Sequence, residues 1–75
     1  MVDIYTYKPT KEEIYSIVGE SCTLAEIPSL NKNTQLSIVG QLLWMRGKEK
    51  EAKKIIEQID DEMYKLDIYR LLEHP

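Results

Sequence analysis

Residues 34–66 read TQLSIVGQLLWMRGKEKEAKKIIEQIDDEMYKL, and this segment carries the patterns of two helices separated by Gly47. In its second half, apolar residues recur at spacings of four, three, four and three, which is typical of a helix with one buried face. Ile55 widens that face. The spacing predicts a helix over 48–66. The residues of this apolar seam are Ala52, Ile56, Ile59, Met63 and Leu66.

The first half of the segment predicts a helix over 34–46, capped by Asn33 and ended by Gly47. Its apolar residues cover more than one narrow stripe, so we expect the central and most buried helix of the fold. Gly40 has no capping role there. A glycine inside a helix costs about 1 kcal/mol relative to alanine, which indicates close approach of another backbone.

Towards the N-terminus, residues 10–13 read TKEE and fit a capping box, in which Thr10 and Glu13 satisfy each other's amides. This motif predicts a helix over 11–18 that ends at Gly19. The segment 20–33 is harder to interpret, because Pro28 stops any helix that starts after Thr23. We expect this segment to be anchored to the core by Leu24, Ile27 and Leu30.

The two ends of the chain complete the predicted architecture. Residues 2–7 are β-branched and aromatic, which favours an extended arm or an edge strand ended by Pro9. Asp67 is a candidate cap for a short C-terminal helix that carries Ile68, Leu71 and Leu72. The fold class is therefore all-α, a single domain over 1–75, with an extended arm over 1–9 and a helical core over 10–75. The bundle has three main helices and a short terminal one.

Composition limits the functional classes. The 75 residues are 43% hydrophobic and 31% charged, as in globular proteins, and the net charge of −3 makes nucleic-acid binding an unlikely function. The longest apolar run covers only 42–45, whereas a membrane span needs about 20 residues. Cys22 is the only cysteine and the N-terminus has no signal-peptide pattern, so we expect a cytoplasmic protein without membrane contact.

No catalytic constellation is evident. The only histidine, His74, lies beside the C-terminus, where fraying is expected. A reactive thiolate needs a cationic or helix N-terminal setting, and Cys22 is placed just before a candidate short helix, but a small semi-buried residue is the favoured interpretation. Phosphate-binding, nucleophile-elbow and zinc motifs are missing. The acidic run around Asp60 lacks the alternating ligands and glycine of a calcium loop. We expect a protein that is not an enzyme and that uses no cofactor or metal.

Protein binding is the function that these features favour, as a small regulator or inhibitor of another protein. The chain contains five tyrosines and Trp44, and both residue types are enriched at protein interfaces. The predicted contact face combines acidic, aromatic and apolar residues near the C-terminus. Its members are Asp60, Asp61, Tyr64, Ile68, Tyr69 and Leu72.

A homodimer is a second partner hypothesis. Residues 46–54 carry a local charge of +3 and residues 57–67 a charge of −4, so two antiparallel copies of the 48–66 helix would match opposite charges along the apolar seam. The competing interpretation is that the seam packs within its own domain.

The spacing of Gly40, Gly47 and Ala52 resembles one tetratricopeptide-type helix–turn–helix unit over residues 34–60. Glu49 stands where that unit usually carries an aromatic residue. The resemblance implies a tight antiparallel helix pair and adds weight to protein binding. The alternative function is a small DNA-binding transcriptional regulator with a helix-turn-helix around Gly47, whose phosphate contacts would come from the five bases in 46–54.

Overall fold

A computed structural model describes residues 3–73, which form four α-helices and two 3₁₀ segments. The α-helices are α1 (Lys11–Val18), α2 (Lys32–Met45), α3 (Glu49–Ile56) and α4 (Glu62–Glu73). The 3₁₀ segments cover Ile4–Tyr7 and Leu24–Ser29. No strand occurs between residues 3 and 73, and the all-α prediction is confirmed.

The first helix follows its sequence pattern closely. Thr10 Oγ1 accepts a hydrogen bond from the Glu13 amide at 3.1 Å, and Glu13 Oε1 accepts one from the Thr10 amide at 2.9 Å. These two bonds are the reciprocal pair of a capping box. Gly19 ends α1 with a φ of 61°, a backbone conformation that favours glycine. The predicted bounds and both termini of α1 are confirmed.

The second helix is central, as predicted, but it begins two residues earlier. Asn31, rather than Asn33, is the cap, because its side-chain oxygen accepts a hydrogen bond from the Thr34 amide at 2.9 Å. Asn33 instead donates to Asp60 Oδ1 at 2.8 Å. Sequence alone could not separate two asparagines so close to the same helix start. The buried residues of α2 are Leu36, Ser37, Ile38, Val39, Gly40, Leu42 and Leu43.

Helices α2 and α3 form a tight antiparallel hairpin. At the turn, the Lys48 amide donates to the Leu43 carbonyl at 2.9 Å. Further along, a Cβ added at Gly40 would lie 2.5 Å from Ile56 Cγ1 and 3.7 Å from the Ala52 carbonyl oxygen. The close approach that the sequence predicts at Gly40 is therefore present, and it has the geometry that the resemblance to a helix–turn–helix unit implies.

The predicted continuous helix over 48–66 is wrong, because the chain leaves helical geometry after Ile56 and starts again at Glu62. Ile59 lies in the intervening turn and is buried. Asp61 then starts a new helix, since its side chain accepts a hydrogen bond from the Tyr64 amide at 3.1 Å. Asp67, the predicted cap of a short final helix, lies within α4 instead. Burying Ile59 redirects the chain, so α4 has its own inward face.

The core has two parts that meet along α2. The larger cluster joins the two 3₁₀ segments, α1, α2 and α3 through Ile4, Ile14, Ile27, Ile38, Val39, Leu42, Leu43 and Ala52. The smaller cluster holds α4 in place through Leu36, Ile56, Ile59 and Ile68. Ile55 packs against both clusters.

The N-terminal segment lies ahead of α1 as predicted, but its described part is a 3₁₀ turn rather than an extended arm or edge strand. Asp3 Oδ1 accepts a hydrogen bond from the Tyr5 amide at 2.9 Å, which initiates the turn. Ile4 is only 3% exposed and belongs to the larger core cluster. Burial of this one side chain favours the compact turn. Val2 lies outside the described residues.

The segment between α1 and α2 is anchored as predicted. Ile27 is fully buried, and Leu24 and Leu30 are half-buried against the larger cluster. Thr23 does not cap the segment through a backbone amide; its hydroxyl donates to Glu26 Oε1 at 3.0 Å. Pro28 lies inside this 3₁₀ segment, which ends one residue later.

An ion pair joins the start of α1 to the end of α2. The Arg46 guanidinium donates to both Glu13 carboxylate oxygens at 2.8 Å, and to the Tyr7 carbonyl at 2.8 Å. The hydrogen bonds from Arg46 to Glu13, together with that from the Thr10 amide, lower the pKa of Glu13 to about 2. Arg46 is therefore engaged within the fold and is not a free cation.

Candidate protein-binding surfaces

The six residues of the predicted contact face do not form one exposed surface. Ile68 is 6% exposed and belongs to the smaller core cluster, so it is not freely available to a partner. Tyr64 and Leu72 are half-buried and pack against that cluster. The amphipathic pattern of 62–73 indicates which residues share a face, but the direction of that face follows from the break after Ile56.

The two acidic residues of the predicted face are exposed but have local roles. Asp60 accepts the hydrogen bond from Asn33, which connects the α3–α4 turn to the start of α2. Asp61 accepts the capping bond from the Tyr64 amide. Both carboxylates therefore stabilise the turn in which they lie.

Tyr69 is also engaged within the chain. Its hydroxyl donates to Glu57 Oε2 at 2.6 Å, across the turn between α3 and α4. The pKa of Tyr69 is raised to about 12, mainly by burial and secondly by this hydrogen bond. The same bond, with the charge of Lys65, holds the pKa of Glu57 below its usual value. Tyr69 thus fastens α4 to the preceding turn.

An apolar groove of about 500 Å³ lies between α1 and the start of the 3₁₀ segment Leu24–Ser29. Tyr15 forms part of its wall and is 61% exposed, which is high for an aromatic side chain. The Tyr5 hydroxyl donates to the Leu24 carbonyl at 3.3 Å at the border of this groove. Its apolar lining comes from Ile14, Tyr15, Cys22, Leu24 and Ala25, with Lys11 and Glu20 among the polar residues.

A second groove of about 380 Å³ lies between α1, α2 and α4. Two residues of the predicted contact face, Tyr64 and Ile68, line it, and Leu71 is 56% exposed beside them. On the opposite side its apolar lining comes from Ile17, Val18, Cys22, Leu30 and Ile38.

The two grooves adjoin at Cys22, which lines both. The two grooves, which have Cys22 as a common lining residue, are here called together the double groove. Segment 11–30 carries four acids and one base, and Glu13 is already paired with Arg46. Segment 11–30 therefore has a net negative charge, whereas the charged side chains that line the grooves themselves are Lys11 and Glu20, one of each sign. The sequence places Tyr15 next to the apolar Ile14, but the grooves join residues that are too distant in sequence for a local pattern to bring together.

A basic surface lies on α3, away from the double groove. Lys50, Lys53 and Lys54 are exposed and form no ion pair within residues 3–73. Of the bases in 46–54, only Arg46 is held in an ion pair in this part of the chain.

The apolar seam predicted as a dimer interface is divided by the break after Ile56. Ala52, Ile56 and Ile59 are each at most 1% exposed and pack within their own chain. Met63 and Leu66, in contrast, are 69% and 48% exposed on the outer side of α4. A dimer through the whole 48–66 seam is therefore excluded by this packing, but its last two residues remain on the surface.

Within residues 3–73, no group of three or more histidine, cysteine, aspartate or glutamate side chains is arranged to hold a metal ion. His74 lies outside the described residues. None of the described helices is both long and apolar enough to cross a membrane.

The chain matches no protein-family model, and no curated protein or solved structure matches it significantly.

Proposed function

We propose that the chain is a non-enzymatic protein-interaction module, a small cytoplasmic regulator or inhibitor that binds an amphipathic segment of another protein in the double groove. The observation that carries this proposal is the pair of mainly apolar grooves that share Cys22 and are lined by an exposed Tyr15 and an exposed Leu71. Contiguous exposed apolar surface is typical of interaction sites.

The chemistry of the surface favours a particular kind of partner. Apolar side chains of a helix or an extended peptide would fill the two grooves, as in other cases of recognition of a helix in a groove. The acidic balance of segment 11–30 favours lysine or arginine beside those apolar residues. We therefore expect a cationic amphipathic segment.

A selection experiment tests the proposal without knowledge of the natural partner. A displayed library of random 16-residue peptides is selected against the full chain, and the best peptide is titrated into the isotope-labelled protein. We expect apolar residues at helical spacing with basic flanks, and amide shift changes in α1, segment 20–30 and the inward side of α4.

Variants localise the binding. Tyr15→Glu should weaken the selected peptide by at least about tenfold, because it places a carboxylate in the apolar wall. Tyr64→Ala should weaken it less, and Tyr69→Ala should leave it unchanged, since Tyr69 lies outside both grooves. Met45→Glu is the matched control, because Met45 is 49% exposed and lines neither groove. Equal effects of Tyr15→Glu and Met45→Glu would contradict the proposal.

DNA binding is the second candidate, favoured only by the exposed lysines of α3. Gel retardation of duplex DNA at increasing salt separates it from protein binding, because phosphate contacts weaken steeply as salt rises. A salt-sensitive retarded band that Lys50→Glu and Lys53→Glu abolish would favour DNA binding over the double-groove proposal.

A further inference from the structure

The outer face of α4 is used neither by the core nor by the double groove. Residues four apart lie on one side of a helix, so Glu62, Leu66 and Arg70 form a row along this face. Met63 lies beside Leu66 and is the most exposed large apolar side chain in the described part of the chain. The row therefore places apolar surface between an acid and a base.

This row is complementary to itself in the reverse direction. When two copies of α4 lie antiparallel with Leu66 on a two-fold axis, each residue faces the one equally far from Leu66 on the other side. Leu66 then meets Leu66 of the second copy, and Glu62 meets Arg70 of the second copy. The symmetry repeats that ion pair at the other end of the row.

We propose that the outer face of α4 pairs with a second copy of the chain in this antiparallel arrangement. Two ion pairs within the chain involve this row, since Arg70 lies 3.8 Å from Asp67 and Glu62 lies 3.3 Å from Lys65. They compete only weakly with the pairing, because Arg70, Asp67 and Glu62 are largely exposed and exposed ion pairs contribute little. In the reverse direction the order acid, apolar residue, base becomes base, apolar residue, acid, so each charge meets one of opposite sign. An unrelated partner would need that pattern by coincidence, whereas a second copy carries it necessarily.

The size of the face sets the strength of the association. Twelve helical residues extend about 18 Å, so this contact lies at the small end of the range for specific interfaces. The dimer is therefore weak and reversible, and self-association should be measured up to about 1 mM protein. The double groove stays open in the dimer, because Tyr64 and Ile68 face the other side of α4.

Charge reversal tests the pairing. Arg70→Glu places two glutamates opposite each other at both ends of the row and should weaken dimerisation by at least about tenfold in sedimentation equilibrium. The double variant Glu62→Arg with Arg70→Glu restores opposite charges and should recover an affinity near that of the original chain. Leu66→Lys should abolish the dimer.

A control separates the specific pairing from net charge. Lys53→Glu changes the net charge by the same amount as Arg70→Glu but lies on α3, and it should leave dimerisation unchanged. Circular dichroism establishes that each variant is folded. The inference fails if the chain remains monomeric up to about 1 mM, if the double variant does not recover, or if Lys53→Glu acts like Arg70→Glu. Binding of the selected peptide to the double groove is a separate measurement and is unaffected by Arg70→Glu.

Discussion

At the residue scale, Gly40 limits how far the α2–α3 hairpin can be altered. Gly40→Ala adds a Cβ 2.5 Å from Ile56 Cγ1, a buried branched side chain with little room to move. Overpacking of this kind costs about 1–3 kcal/mol, and the better helix propensity of alanine returns about 1 kcal/mol. We expect a net loss of up to about 2 kcal/mol in the free energy of unfolding, measured by urea denaturation.

A double-mutant cycle identifies the cause of that loss. Ile56→Ala alone should cost about 2–5 kcal/mol, but it also removes the atom that clashes, so its effect should not add to that of Gly40→Ala. Gly47→Ala is the control. Nothing lies within 4 Å of a Cβ there, and its cost comes only from the φ of 79°. Additive effects of Gly40→Ala and Ile56→Ala would show that the contact does not limit the hairpin.

Glu13 gives the fold a specific dependence on pH. Its pKa of about 2 lies below the ordinary value of 4.5, so its contribution to stability is complete above about pH 4.5 and is lost as pH falls towards 2. Glu13→Gln should lower the melting temperature at pH 7 and flatten its decline between pH 4.5 and 2. Glu12→Gln, one residue earlier and outside the pair with Arg46, should retain the original decline. An unchanged profile in Glu13→Gln would refute this role.

At the element scale, the boundary between α3 and α4 depends on Asp61. Asp61→Ala removes the bond to the Tyr64 amide and should cost about 1 kcal/mol, with faster hydrogen exchange in the first turn of α4. Asp61→Asn keeps a good capping side chain and should behave like the original chain. Exchange that stays slow in Asp61→Ala would indicate that packing alone fixes the start of α4.

The elements show which parts of the structure a local pattern can specify. The capping box at Thr10 and the glycines at 19 and 47 act within a few residues, so the sequence predicts α1 and the hairpin turn correctly. The apolar period over 48–66 is equally regular, yet the helix breaks within it, because Ile59 is buried in a turn and packs with Leu36 and Ile56 in contacts that no local pattern specifies. The exposure of the predicted contact face depends on where this break turns α4, so the sequence did not predict it. The double groove is lined by segments that are far apart in sequence, so no local pattern could predict it either.

At the scale of the whole molecule, the two core clusters predict two levels of stability. Helix α4 is held mainly by the smaller cluster, whereas α2 contributes to both. Ile68→Ala should therefore speed hydrogen exchange in α4 and leave the slowest amides of α2 little changed, since local opening does not require global unfolding. Leu42→Ala, in the larger cluster, should lower the protection of every helix and cost about 2–5 kcal/mol. Because the second groove needs α4 in place, Ile68→Ala should also weaken the binding of the selected peptide without unfolding the chain. Uniform loss of protection in Ile68→Ala would mean that the two clusters unfold as one cooperative unit.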